Sequence, residues 1–152
     1  MINKAPVPGL RLMVTREFQA PCPLVFKAWT DPKHMVQWWS PQEVECRSVT
    51  ADGRVGGAYR IHMVSDEGDH IAYGIYQEFA PHRRIKFSWQ WEAYAMPDSV
   101  ITVDFEDLGK TTRLTLTHEG LPDEEDLADH SRGWNSALDK FVRLMENHEI
   151  KD

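Results

Sequence analysis

The sequence predicts an α+β fold in which a strongly curved antiparallel sheet wraps around one long C-terminal helix. Between residues 43 and 119, apolar and polar residues alternate in short segments separated by turns, which is typical of antiparallel strands with one buried side. After Pro122 the apolar residues recur every three or four positions, which indicates an amphipathic helix. No repeat or linker divides the 152 residues, so we expect one domain over residues 10–150 after a loose leader, residues 1–9.

The first element is a predicted strand over residues 11–19, because Leu12, Val14 and Phe18 fall on one face of an alternating segment. Arg16 falls on the same apolar face. An unpaired charge is expensive to bury, so we expect the Arg16 guanidinium to be paired with a carboxylate or several carbonyl acceptors. Helical spacing after Pro23 then predicts a short helix.

A second short helix is predicted to begin at Pro32 with Asp31 as its N-cap and to end before Pro41. Met35, Trp38 and Trp39 then lie on one side of about two turns. A helix this short is marginal in water unless that side packs against the rest of the chain. The sequence does not decide whether these side chains cover a solid core or a pocket.

Six further strands are predicted from alternation and turn signals, and the last helix follows them. The strands cover residues 43–51, 58–64, 70–79, 85–91, 99–107 and 111–119. The helix extends from about Glu124 to His148, with acidic residues in its first turn, where they complement the helix dipole.

Composition and charge narrow the classes of function. A hydrophobic fraction of 41% with six Trp, six Phe and four Tyr provides for a packed interior. The formal net charge of −7 argues against nucleic acid and against acidic partners. No stretch approaches the length of a membrane span, and residues 1–14 lack the features of a signal peptide.

The cysteines and histidines give no support for a metal or cofactor. Cys22 and Cys46 have no metal-like spacing, and we expect them to be free thiols in a cytoplasmic protein. The seven histidines form no HExxH, H-x-H or Cys/His cluster. The glycines of DGRVGG match neither a P-loop nor a dinucleotide fingerprint, so we expect no cofactor.

Several longer motifs resemble one family of proteins. These are VTREFQAP (14–21), VFKAWTDPKHMVQWWSP (25–41), RVGGAYR (54–60), PHRRIKFSWQW (81–91), LTLTHEGLP (114–122) and HSRGWNSALDKF (130–141). They resemble bacterial relatives of the C-terminal domain of the activator of the heat-shock-protein-ninety ATPase, within the START and birch-pollen-allergen (SRPBCC) superfamily. The matches span nearly the whole chain in the family's order.

The resemblance implies a helix-grip fold with a cavity between the sheet and the C-terminal helix. The short helices would close one end of that cavity, with one of Trp38 and Trp39 packed beneath and the other nearer the mouth. Superfamily relatives bind lipids, sterols and polyketides, and some catalyse cyclisations or dehydrations.

Alternation and helical spacing then predict which residues line a cavity. The predicted set is Trp39, Tyr59, Met63, Tyr73, Phe87, Trp89, Trp91, His118, His130, Trp134, Leu138 and Phe141. For each residue alone, ordinary core is the safer interpretation. As a set they favour a pocket, because so many large rings on a curved sheet are hard to pack without leaving space.

Three functions are compatible with these observations. The first is binding of a small apolar or amphipathic molecule without a cofactor. The second is a cyclase-like or hydrolase-like activity that uses His118 or His130 as a general acid or base together with Tyr73. The third is a co-chaperone or interaction module, related to the stress response, with a chaperone or a second copy of the chain as partner.

Overall fold

The computed structural model describes residues 9–152, so residues 1–8 of the expected leader lie outside the described part. The elements follow the predicted order. They are β1 (Leu10–Phe18), α1 (Cys22–Thr30), α2 (Pro32–Met35), β2 (Glu45–Ala51), β3 (Ala58–Ser65), β4 (Gly68–Ala80), β5 (Arg84–Ser88), β6 (Gln90–Trp91), β7 (Val100–Asp107), β8 (Thr112–Leu121) and α3 (Glu124–Glu146).

The strands form one antiparallel sheet in the order β1-β8-β7-β5-β4-β3-β2, with β6 paired to β4. The two short helices follow the first strand, and α3 packs against the sheet through contacts with β1 and β8. This is the helix-grip arrangement, so the predicted fold class is confirmed. No helix in residues 9–152 combines the length and the apolar character needed to cross a membrane.

The predicted strand over residues 85–91 is divided into β5 and β6 around Trp89. The Ser88 hydroxyl oxygen accepts a hydrogen bond from the Ile75 amide at 2.9 Å, in place of a backbone carbonyl. The Trp89 amide donates instead to the carbonyl of Ser99 at 3.0 Å. The chain therefore changes partner at this point, and its last two residues return to β4.

The predicted inward orientation of Tyr73 is wrong. Tyr73 is 41% exposed on the outer side of the sheet, whereas Tyr76 is 2% exposed and faces the interior. The register of β4 against β5 shifts between Tyr76 and Glu78, which indicates a bulge. A bulge reverses the side on which later residues fall. Phe79 lies inside as predicted, but before the bulge the odd-numbered positions, Tyr73 among them, face outward.

Both N-terminal caps of the later helices are formed by aspartates. The Asp31 carboxylate accepts from the Lys33 amide at 3.0 Å, as predicted, and the Asp123 carboxylate accepts from the Asp126 amide at 2.8 Å. The helix α2 ends at Met35, earlier than predicted, so Trp38 and Trp39 lie just after it. The Trp38 indole attaches this segment to α1, because it donates to the carbonyl of Ala28 at 2.8 Å.

Arg16 is paired, as its position on the apolar face predicts. Its Nε donates to Asp139 at 3.0 Å and one terminal nitrogen donates to the side-chain oxygen of Asn135 at 2.8 Å. These contacts attach the first strand to α3. The two cysteines, Cys22 and Cys46, are free thiols, as expected, and burial raises the pKa of Cys46 to about 11.

Candidate functional site

A cavity of about 190 Å³ lies between the sheet, α3 and the segment that follows α2. It is largely apolar. The residues that line it are Trp39, Ser40, Pro41, Met63, Trp89, Trp91, Tyr94, Asp129, His130, Gly133, Trp134 and Ala137.

Six of the twelve residues predicted from the sequence line this cavity: Trp39, Met63, Trp89, Trp91, His130 and Trp134. Tyr59, Phe87, Leu138 and Phe141 are buried in the core outside it. His118 is also buried, behind Trp134, and Tyr73 lies on the outer face of the sheet. Of the adjacent tryptophans, Trp39 reaches the cavity and Trp38 is packed beneath.

Six lining residues were missed: Ser40, Pro41, Tyr94, Asp129, Gly133 and Ala137. Three of them, Asp129, Gly133 and Ala137, are spaced four residues apart on α3, next to the predicted His130 and Trp134. A wider helical stripe would have included them. Tyr94 lies in an irregular loop, where no periodicity marks a side chain as facing a pocket.

The segment after α2 forms one wall because hydrogen bonds attach it to α3. The Lys140 ammonium donates to the Ser40 hydroxyl oxygen at 2.9 Å, and that hydroxyl donates to the carbonyl of Val44 at 2.6 Å. The Gln42 amide donates to the Ser136 hydroxyl oxygen at 2.8 Å. Burial lowers the pKa of Lys140.

The loop after β6 brings Tyr94 to the mouth. Gln90 anchors this loop: its side-chain oxygen accepts from the Met96 amide at 2.9 Å and its side-chain nitrogen donates to the Met96 carbonyl. The Tyr94 hydroxyl donates to the Asp126 carboxylate at 3.2 Å. Burial and the nearby Asp126 charge raise the pKa of Tyr94 to about 12, so the phenol stays protonated at neutral pH.

Both ring nitrogens of His130 are engaged within the protein. Its Nδ1 lies 2.8 Å from the carbonyl oxygen of Asp126, which only accepts, so Nδ1 carries the proton. Its Nε2 accepts from the Trp91 indole at 3.0 Å. An imidazole with one donating and one accepting nitrogen is neutral.

Both ring nitrogens of His118 also form hydrogen bonds within the protein. Its Nδ1 accepts from the Trp134 indole at 3.1 Å, so in the neutral ring Nε2 donates to the Ser99 hydroxyl oxygen at 2.7 Å. Burial, and secondarily the neighbouring His130, hold the pKa of His118 well below its ordinary value. The two imidazoles therefore position Trp91 and Trp134, and neither has a free nitrogen for proton transfer.

Unlike Trp91 and Trp134, Trp89 has an indole N–H without a hydrogen-bond acceptor in the described part of the chain. It is 2% exposed, and no side chain or carbonyl in residues 9–152 accepts from its buried indole nitrogen. A buried donor without a partner is rare and destabilising. Trp89 is thus a lining residue whose indole N–H has no acceptor among residues 9–152.

Charge at the cavity comes from one carboxylate. Among the described lining residues, Asp129 is the charged one, and it pairs with Arg132 one turn later on α3. The Arg132 side chain is 72% exposed, so this surface pair is weak. Within residues 9–152, no group of three or more His, Cys, Asp or Glu side chains is arranged to hold a metal ion.

The model of the family "Activator of Hsp90 ATPase homolog 1-like protein" matches residues 19–146. The chain belongs to this family. The match includes α1, the segment with the adjacent tryptophans and all of α3. No protein with curated annotation matches the chain.

Solved structures of bacterial proteins have the same fold. A protein from Chromobacterium violaceum is 26% identical with a TM-score of 0.79, over 90% of this chain and 96% of that one. A protein from Silicibacter pomeroyi with the same family name is 27% identical with a TM-score of 0.77, over 88% and 96%. A protein from Nitrosomonas europaea, 22% identical with a TM-score of 0.78 over 93% and 97%, shows the fold alone.

Proposed function

We propose that this protein binds a small, largely apolar molecule in the cavity between the sheet and α3. The observation that carries the proposal is the cavity itself, whose lining is dominated by the rings of Trp39, Trp89, Trp91 and Trp134. Small-molecule sites are typically concave and apolar with a few placed polar groups. The polar residues in the lining include Ser40, Asp129 and His130.

The volume limits the size of the ligand. Pockets for drug-sized molecules measure about 300–1,000 Å³. This cavity, at about 190 Å³, is smaller. It suits a single ring or a short branched chain, and a sterol or a full fatty acid would need further space. We therefore place small aromatic or branched aliphatic compounds ahead of lipids.

Binding is favoured over histidine catalysis by the hydrogen bonds of the two imidazoles. A general base needs a free lone pair within reach of the substrate. In His118 and His130 both nitrogens are bonded to protein groups, and Tyr73, their predicted helper, lies on the opposite face of the sheet. These contacts give the imidazoles a structural role.

The direct test is native mass spectrometry of freshly purified protein, followed by titration of single-ring aromatics, branched alcohols, fatty acids and sterols. Tryptophan fluorescence and thermal shift are followed together, because a ligand that binds the folded state raises stability by mass action. We expect a saturable response to small compounds. No saturable response to any class would contradict the proposal.

A cavity-filling variant provides the matched comparison. Ala137 lines the cavity and is 2% exposed, so Ala137→Leu would occupy part of the space. Ala128→Leu makes the same change on the exposed side of α3. We expect Ala137→Leu to reduce binding at least tenfold and Ala128→Leu to leave it unchanged. Equal affinities in the two variants would place the ligand elsewhere.

A further inference from the structure

Five of the cavity's lining side chains are aromatic, and their rings meet at steep angles. The Trp89 and Trp91 rings lie 5.2 Å apart at 85°, and the Trp39 and Trp134 rings lie 5.9 Å apart at 70°. Trp89 and Trp134 are inclined at 53°. Rings at such angles do not stack into one layer, so the space is bordered by indole rings in several orientations. The face of an indole carries partial negative charge.

The indole N–H groups of two of these rings already donate hydrogen bonds within the protein. The Trp91 indole donates to His130 and the Trp134 indole donates to His118. His130 is neutral, because one of its nitrogens donates and the other accepts. The lining therefore combines electron-rich indole rings with a neutral imidazole and the Asp129 carboxylate, and among the described lining residues no side chain is cationic.

The surroundings of the mouth are also acidic. The Tyr94 hydroxyl donates to the Asp126 carboxylate, and two more carboxylates, Glu124 and Glu125, lie in the same first turn of α3. Arg132 pairs with Asp129 but is largely exposed. The other basic group close by is Lys140, which lies behind Ser40. Its ammonium contacts the lining residue Ser40, and Lys140 lies eleven residues from Asp129, or about 16 Å along the helix axis. The Asp129 end of the cavity is therefore the negative end.

We propose that the cavity selects a small organic cation, a quaternary or tertiary alkylammonium group held against the tryptophan faces with Asp129 at the mouth. An ammonium over an indole face is attracted by the ring quadrupole, most strongly where water is excluded. A carboxylate at the same place would face the negative side of the rings and Asp129. This inference rests on the proposed function, because it specifies the charge of the ligand of that same cavity.

The test uses three probes of nearly the same shape and different charge. Choline carries a trimethylammonium group, 3,3-dimethylbutan-1-ol replaces it by a neutral tert-butyl group, and 3,3-dimethylbutanoate is an anion. Dissociation constants are measured by calorimetry at low ionic strength with the full chain. We expect choline to bind about tenfold more tightly than the alcohol, which corresponds to about 1.4 kcal/mol, and the anion to bind more weakly still.

Each outcome decides between the two proposals. If the alcohol binds as tightly as choline, or the anion binds best, the charge inference is wrong and the apolar binding function stands. If none of the three probes binds, the inference is also overturned. Whether the binding function then fails as well is decided by the neutral single-ring compounds of the earlier titration.

Variants distinguish binding of choline in the cavity from nonspecific attraction of a cation to an acidic protein. Asp129→Asn removes the carboxylate at the mouth, and we expect it to weaken choline about threefold without changing the affinity for the alcohol. Asp66→Asn makes the same change in an exposed turn between β3 and β4 and serves as the control. Trp91→Leu removes one ring face and is expected to weaken choline more than the alcohol. Equal losses for both probes would indicate that the ring only fills space.

Discussion

At one end of the interior the Trp38 ring stacks on the Phe141 ring with 4.3 Å between ring centroids. The Phe18 ring also packs against Phe141, with its centroid 4.9 Å from the Phe141 centroid. At the other end Trp39 and Trp134, with rings 5.9 Å apart, border an open space of about 190 Å³. Both ends are built from large rings on the same helix and the same short segment. Residue type therefore determines that a ring is buried, but it does not determine whether the space beside the ring is filled.

Hydrogen bonding distinguishes the two ends as well. In the filled end the Trp38 indole donates to a backbone carbonyl, which fixes the ring within the core. In the open end the indoles of Trp91 and Trp134 donate to imidazoles. The polar contacts of the open end thus hold rings in place around a space that the apolar side chains leave unfilled.

The largest expected difference between the two ends is in stability. Trp38→Ala removes a fully buried ring from close packing and should lower the free energy of unfolding by about 4 kcal/mol. Trp39→Ala removes a ring that already borders a cavity and should lower it by about 2 kcal/mol, because fewer packing contacts are lost. Chemical denaturation of both variants measures the difference. Equal losses would mean that the open end is packed as tightly as the filled end.

The sequence predicted the fold well because alternation and helical spacing report burial directly. Arg16, Asp31 and the beginning of α3 were placed correctly from local physics alone: a buried charge needs a partner and a helix needs a cap. The orientation of Tyr73 was wrong because a bulge in β4 inserts one residue into the pairing, and apolar side chains on both faces of that strand concealed it.

The cavity was predicted less completely, since a pattern of buried residues does not distinguish packed from unpacked space. Tyr59 and Phe87 are as buried as Trp39, and nothing in their spacing separates core from lining. Tyr94 reaches the mouth through a loop whose position depends on the side chain of Gln90. Such contacts depend on the three-dimensional arrangement of the whole chain.

A second, smaller effect is expected in the pH dependence of stability. The pKa of His118 is held well below its ordinary value by burial. The unfolded chain, with a histidine pKa of about 6.5, then binds this proton more readily than the folded protein does. The His118 contribution is complete above about pH 6.5 and is lost as the pH falls towards the folded pKa, with a slope of up to about 1.4 kcal/mol per pH unit.

This prediction tests whether the polar contacts behind the open end require a neutral ring. His118→Gln keeps an acceptor for Trp134 and a donor for Ser99 but does not titrate, so the slope below pH 6.5 should decrease. His148→Gln, at an exposed position beyond α3, is the control and should retain the wild-type slope. Denaturation midpoints between pH 5 and pH 8 give the measurement. A wild-type slope in His118→Gln would assign the pH dependence to other groups.

The smallest expected effect concerns free space at the mouth. Gly133 lies within α3 and lines the cavity, and a Cβ atom added there would meet Pro41 at 3.7 Å, an ordinary contact. Glycine in a helix is less favourable than alanine by about 0.5 to 1 kcal/mol, so Gly133→Ala should stabilise the protein by about that amount. Gly74→Ala is the opposite case, because its Cβ would lie 2.0 Å from the Ser88 carbonyl oxygen. We expect that variant to be strongly destabilised in the same denaturation experiment, and a loss of stability in Gly133→Ala would show that the mouth has no room for one methyl group.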